Sequence, residues 1–426
     1  MHRLRRPRVI LVVATALGLL LAGAALSRRV GGIFDGPPEA LAESISPAAR
    51  ELIRAALADL DGKVVHDLHV HRVGLDTDGS GTYASPKMFS LRDPINYARG
   101  RAYMSGAAVT DLGRADQQYM ERLLRLGRAS PTPIRLHLLA FDYAHDAAGH
   151  PDPEHSTFYT PNETVIREAT THQDLLIPTV SIHPHRPDAI AELERCAALG
   201  VRMVKWLPNA QRIDASDSRH DAFYRALVAH DMILLTHVGA EAAVDADEQQ
   251  RLGNPLLFRR PLDLGVRVVM AHVASSGDDL DLDDPVPGVR RASFELFLRL
   301  MDEPRYEGLL YGELSAVTLV NRLPMALATI LDRSDLHERL VNGSDYPLPA
   351  INSVIWTSSL WRHGFITRGE RAALNEIYAY NPLLFDLVTK RTVRSRSNGG
   401  RLPASVFTAE NLLGSSDSVW PSPRPR

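Results

Sequence analysis

"KVVHDLHVHR", residues 63–72, is an apolar run that ends in two histidines one residue apart. In an extended strand alternate side chains face the same way, so His69 and His71 point to one side and Val70 to the other. Taken alone, that side could be solvent, core or a metal. Whether it is a site depends on what later strands place beside it.

Working outward, seven more short β-rich runs follow: "IRLHLLAFDY" (134–143), "LIPTVSIHP" (176–184), "VRMVKWLP" (201–208), "MILLTHVG" (232–239), "VRVVMAHVA" (266–274), "LLYGELSAV" (309–317) and "ERLVNGSDYP" (338–347). Amphipathic stretches lie between them, among them "RPDAIAELERCAALG", "RHDAFYRALVAHD" and "SFELFLRLMDEP". Strands that alternate with helices predict a parallel sheet, and eight repeats of the unit predict a closed (β/α)8 TIM barrel. A doubly wound open sheet would carry a Gly-rich phosphate turn after an early strand, and none is present. The expected organisation is a leading segment (1–30), a linker and lead-in helix (31–61), the barrel (62–391) and a loosely ordered, Ser-, Arg- and Pro-rich tail (392–426). Ser46 is the expected N-cap of the lead-in helix "SPAARELIRAALADL". The first βα connection, 72–133, is long. Its Asp76, Asp78 and Gly79 look briefly like a calcium loop, but the twelfth position is Lys87 rather than glutamate, so that reading fails.

The chain has 426 residues, 45% hydrophobic and 23% charged, which fits one large barrel with insertions. A net charge of -3 without a basic stripe gives no ground for nucleic acid. One cysteine, Cys196 in a helical pattern, excludes a disulfide framework and a Cys-rich metal site. The N-terminus differs in kind: Arg3, Arg5, Arg6 and Arg8 precede an uncharged run, Val9–Leu26. That run sits at the lower edge of the about 20 residues a spanning helix needs, and arginines favour the cytoplasmic side. The expectation is export, with the segment kept as a membrane anchor and the barrel facing the periplasm or cell exterior. Ala22-Gly23-Ala24 offers a cleavage site that would instead give a secreted protein. Self-association into a homo-oligomer stays open.

The candidate residues sit near the C-terminal ends of predicted strands, where barrel enzymes keep their chemistry. His69 and His71 end the first, Lys205 the fourth, His237 the fifth, His272 the sixth and Asp345 the eighth. Each has a bland explanation: a hydrogen-bonded histidine, a turn-capping aspartate, a salt-bridged lysine. Six such residues at one end of five strands are hard to assign to chance. Four histidines and an aspartate suit a divalent cation such as zinc and leave positions open for water.

In "HVH", "VKWLPNA", "LTHVG", "MAHVA" and "GSDYP", taken in that order, the chain resembles the amidohydrolase superfamily from about Lys63 to Asn381. The pattern there is His-x-His after strand one, Lys after strand four, His after strands five and six, and Asp after strand eight. "THVG" and "GSDYP" are similar to the branch that cleaves amides, esters or lactones and also contains metal-dependent decarboxylases. "VKWLPNA" is similar to members whose lysine is carboxylated and bridges two metals. The resemblance implies one or two divalent metals, zinc for preference, held by His69, His71, Lys205, His237, His272 and Asp345. It implies catalytic roles for Asp345 and His272, with Asp345 moving the proton of a metal-activated water. The expected activity is hydrolysis of a C–O or C–N bond in a small molecule. A mononuclear non-oxidative decarboxylase is the alternative, and a catalytically silent, membrane-tethered binding protein is the alternative of another class. His183, His185, Arg186, Tyr143 and Trp206 are expected to line the mouth and contact substrate. Glu313 is expected to support a ligand or the structure rather than bind metal, His66 to be core or rim, and the acidic run 278–284 to be a solvated loop, which on the catalytic side would disfavour anionic substrates.

Overall fold

The computed structural model describes residues 31–32 and 34–414. Eight parallel strands run through it: β1 (Val65–His71), β2 (Ile134–Leu139), β3 (Leu176–Thr179), β4 (Met203–Trp206), β5 (Ile233–Thr236), β6 (Arg267–Met270), β7 (Leu310–Glu313) and β8 (Leu340–Val341). The longer helices are α1 (Pro47–Leu57), α2 (Pro94–Gly106), α3 (Ala115–Arg128), α4 (Asn162–Thr171), α5 (Ala189–Ala198), α6 (Asp221–Ala229), α7 (Ser293–Met301), α8 (Met325–Asp332), α9 (Arg368–Tyr378) and α10 (Pro382–Thr392). Ser46 caps α1 as expected, its side chain accepting from the Ala49 N–H at 3.2 Å. The fold is α/β, with strands β1–β2–β3 in one parallel sheet and β4–β5–β6–β7–β8 in another. Parallel bridges link the two at both ends: Val180, just past β3, with Val204 of β4, and Val70 of β1 with Tyr346, past β8. The Lys205 N–H donates to the Val180 carbonyl at 2.7 Å, and the His71 N–H to that of Tyr346 at 3.1 Å.

Alternation along β4 separates two environments. Met203 joins Leu68, Leu139, Leu235, Val269, Tyr311 and Val341 in an apolar cluster drawn from the strands. Val204 and Trp206, on the opposite face, enter the larger core between strands and helices. Lys205 shares the Met203 face and is buried there at 1% exposure.

The strands are shorter than the apolar runs that announce them. The run 338–347 yields only β8, because the backbone leaves strand geometry before Asp345, whose φ is 61°. The long first connection is ordered by one carboxylate. Asp116 accepts from the N–H groups of Leu75 (2.8 Å) and Thr77 (3.0 Å), from Arg72 (3.2 Å) and from the Ser80 and Thr82 hydroxyls. Burial alone would raise its pKa, but the hydrogen bonds, that from Thr77 foremost, hold it down to about 2.

The tail corrects an expectation. Beyond α10 the chain does not hang loose up to residue 414: Leu402, Val406 and Phe407 join the main core, while Ala409 and Leu412 close the strand cluster around Leu68 and Met203. The expectation for residues 1–30 falls outside the described residues, among which no helix is long and apolar enough to cross a membrane. If the tail is part of the core, Phe407→Ala will lower the unfolding free energy by about 3–5 kcal/mol. Urea denaturation checks this, and a variant as stable as the parent would return the tail to the surface.

Candidate metal centre

The residues singled out at the strand ends converge. His69 and His71 leave β1 together, their Nε2 atoms 3.2 Å apart. Asp345 Oδ1 lies 3.1 Å from His71 Nε2 and 3.5 Å from His69 Nε2, and Oδ2 lies 3.8 Å from His272 Nε2. Lys205 Nζ reaches His69 Nε2 at 3.3 Å from β4. The His237 and His272 rings meet edge to face, centroids 5.1 Å apart. One donor atom each from His69, His272 and Asp345 lies within 4.8 Å of the other two.

What orients the imidazoles is a set of contacts on their far nitrogens. His69 Nδ1 donates to Glu313 Oε2 at 3.1 Å. The Ser315 hydroxyl donates to the same oxygen at 2.6 Å and accepts from His272 Nδ1 at 2.7 Å. His237 Nδ1 faces Glu241 Oε2 at 3.3 Å, while its buried Nε2 has no hydrogen-bond partner among the described residues. A ring whose Nδ1 carries a held proton presents Nε2 as a lone pair, the form a metal binds. Burial holds His69 and His272 well below the usual imidazole range and takes His237 down to about 4, so all three are neutral at neutral pH, the form in which an imidazole can bind a metal. Burial also lowers Lys205, against the pull of Asp345, Glu313 and Glu241. The residues fit a divalent cation: imidazole and carboxylate donors meet, and one buried imidazole nitrogen is otherwise orphaned.

The backbone carries strain at this point. His272, Val273 and Asp345 have φ of 56°, 47° and 61°, in the left-handed region that a β-branched residue such as Val273 rarely enters. Such conformations cost on the order of 1–3 kcal/mol each and persist only where surrounding contacts over-determine them.

The other expected residues lie elsewhere. The mouth beside the cluster is lined by Val73, Tyr103, Phe141, Phe158, Leu207 and Val244, and none of His183, His185, Arg186, Tyr143 or Trp206 is among its lining residues. Trp206 is fully buried on the helix side of β4, its Nε1 donating to the Ile182 carbonyl at 2.8 Å. Tyr143 stacks on Tyr159 at 4.0 Å, and Arg186 pairs with Asp142 and Asp188. His183 and His185 belong to a separate histidine cluster with His145 and His220. His66 is core, its Nδ1 3.0 Å from His137 Nε2. The acidic run is not a free anionic patch. Asp278 is held by Arg290, Asp281 by Arg291 and Arg299, and Asp283 by Arg259, so its expected bias against anionic substrates loses its basis.

Sequence reading missed Glu241, Ser315 and Arg322. Glu241 and Ser315 left a signal, a polar group four residues after His237 and two after Glu313. Arg322 left none; its charge disfavours the protonated forms of His237 and His272.

The chain belongs to the amidohydrolase family, whose model, described as Amidohydrolase, matches residues 66–353. No match is found among curated proteins. Among solved structures, the chain is similar to a 5-carboxyvanillate decarboxylase from Sphingomonas paucimobilis, with 13% identity, 75% of this chain and 99% of that one covered, and a TM-score of 0.38. It is similar to the apo IDCase of Metarhizium anisopliae at 13% identity, covering 77% and 98%, with a TM-score of 0.39. A third is an N-isopropylammelide isopropylaminohydrolase from Burkholderia multivorans, at 16% identity, covering 82% and 81%, with a TM-score of 0.38. At these scores no reaction is carried over from any of them.

Gly343 tests the support behind His69. A Cβ there would overlap Glu313 Oε1 and lie 2.8 Å from the His69 Cβ. Gly343→Ala is expected to displace Glu313, lower metal content and cost about 1–3 kcal/mol in overpacking. Elemental analysis and urea denaturation read both effects, and parental values in both would remove Glu313 from its orienting role.

Proposed function

We propose that this chain is a metal-dependent hydrolase on a (β/α)8 barrel, cleaving a C–O or C–N bond of a small ester, lactone or amide. The barrel reading is supported by the ring of pairings, in which each strand neighbours the next and the Tyr346 segment returns to β1. The hydrolytic reading rests on one observation above the rest. His69, His237 and His272 have Nδ1 engaged or faced by the protein, and the centre they flank also holds His71, Asp345 and Lys205. Divalent cations bound there, zinc for preference, would acidify a water and polarise the substrate carbonyl. His69, His71, Lys205, His237, His272 and Asp345 would hold them.

The chain's own residues divide the remaining work. Asp345 is the carboxylate placed to take a proton and return it to a leaving group, since both its oxygens face the cluster and neither pairs with a lysine or arginine among the described residues. His272 presents Nε2 to the opposite side of that carboxylate, 3.8 Å from Oδ2. The apolar mouth excludes water from around the substrate body and leaves polar recognition to the cluster and Glu241. Lys205 cannot stay an ammonium beside two divalent cations, because like charges at this separation repel strongly in a buried site. A carboxylated amine would supply the bridging anion.

A second reading, a mononuclear decarboxylase, has one observation in its favour. The donor atoms of His69, His272 and Asp345 already lie within 4.8 Å of one another, which is enough for one ion without Lys205.

Two variants test these readings, and the second separates them. Asp345→Asn is expected to keep the fold and lose about 10²–10⁴ in rate, the usual contribution of a general base. Lys205→Ala is expected to drop the metal content from two per chain to one or none and to abolish hydrolysis of a lactone, ester and amide panel. An alanine variant with unchanged metal and turnover would sink the binuclear reading and favour the decarboxylase.

We also propose that residues 1–30 anchor an exported protein to the membrane, on the strength of the arginine-flanked apolar run. Membrane fractionation and N-terminal sequencing of the native protein should find the full segment in the membrane. A soluble form that begins near Ala25 would overturn the anchor.

A further inference from the structure

The histidine-rich turn after β3 builds something of its own. His183 is fully buried with both nitrogens engaged: Nδ1 accepts from the His185 N–H at 3.1 Å, and Nε2 donates to the Gln211 carbonyl at 2.8 Å. It fixes the loop but has no lone pair left for a ligand. His185, held in place by it, faces His220 across a gap of 4.9 Å between ring centroids. His220 ends the single turn Ser218–His220 that leads into α6, and Asp217 is that turn's N-cap.

These three side chains come together without satisfying one another. Donor atoms of His185, Asp217 and His220 all lie within 4.8 Å of each other. His185 Nε2 is buried and has no partner among the described residues, and both ring nitrogens of His220, itself 1% exposed, are in the same position. A buried polar group without a partner is costly, so an unsatisfied nitrogen on each of two facing imidazoles calls for a ligand. The Asp217 oxygens accept from the Arg219 N–H and Nε, both at 2.8 Å, and pair with its Nη2 at 2.6 Å, and a carboxylate has lone pairs to spare beyond these.

We propose that His185, His220 and Asp217 bind a divalent cation, zinc by the chemistry of two imidazoles and a carboxylate, at a structural site separate from the centre around His69. Zinc takes such donors at about 2.0–2.2 Å in tetrahedral geometry, with a fourth position for water or another ligand. The ion would pin the loop after β3 to the start of α6. Trp206, the last residue of β4, turns toward this site: its indole stacks on Phe223 and approaches the His220 ring at 6.3 Å. The pinned elements therefore back the strand that carries Lys205.

The test uses the full chain with the other centre disabled. In a His69→Ala/His272→Ala background, zinc analysis after dialysis should still find one ion per chain, and adding zinc to the stripped protein should raise its Tm. Adding His220→Ala should remove both the ion and the zinc-dependent shift. His185→Ala, at a half-buried position less exposed to folding failure, should do the same, with circular dichroism confirming the fold. X-ray absorption of the cobalt-loaded background should report two imidazole ligands. A background protein that holds no zinc, or a zinc content unmoved by His185→Ala, would overturn the site.

Discussion

One buried carboxylate sets the directions of the candidate centre. Glu313, at the end of β7 and fully enclosed, receives the His69 Nδ1 proton and, through the Ser315 hydroxyl, governs His272 as well. A free imidazole has two nitrogens and several rotamers. With its far nitrogen held, only one orientation remains, and that orientation presents Nε2 toward Asp345. Burial makes this control strong, because hydrogen bonds in a low-dielectric interior are worth more than the same bonds in water. It also explains Gly343, where any side chain would press on Glu313 and His69 together. Lys390 completes the support: its ammonium, fully buried, donates to the Gly343 carbonyl at 2.5 Å and to Asp386 at 2.6 Å.

The same constraint accounts for the strained backbone. His272 and Asp345 take left-handed φ values that let their side chains turn back over the strand ends instead of continuing outward. Their neighbours hold them there: the His272 N–H donates to Glu313 Oε2 at 3.3 Å, and the Asp345 N–H donates to the His69 carbonyl at 2.7 Å. The conformational cost at the strand ends is thus offset by hydrogen bonds to the residues that need orienting. A site assembled this way is stiff before any ligand arrives.

Much of this was legible in the sequence, for a definite reason. A parallel strand followed by a helix leaves a repeated trace, and residues at the ends of such strands must meet, so His69, His71, Lys205, His237, His272 and Asp345 could be gathered without coordinates. Alternation in "VRMVKWLP" permitted an inward Lys205 without demanding it. The same alternation placed Trp206 on the other face, and that signal outweighs its nearness to the mouth. Tyr143, His183, His185 and Arg186 were harder. They follow short strands, and once the strand ends the period of two no longer says where a side chain goes. In the tail, Ser, Arg and Pro outnumber the few apolar residues, so composition hid Val406, Phe407 and Leu412. Burial of those residues depends on a surface made by strands far away in the chain, which no local pattern records.

That distant surface governs the order in which the molecule can be built. β1 finds one of its neighbours only at Tyr346, α1 packs on α9 and α10, and the floor under the strands is laid by Ala409 and Leu412. A ribosome delivers these partners only after all eight strands. Until then the early strands have an unpaired edge and an uncovered apolar end, and the loop to be closed spans most of the chain. The fold is therefore completed only once residues 346–412 are made, and nascent chains short of that stretch are the form most in need of a chaperone.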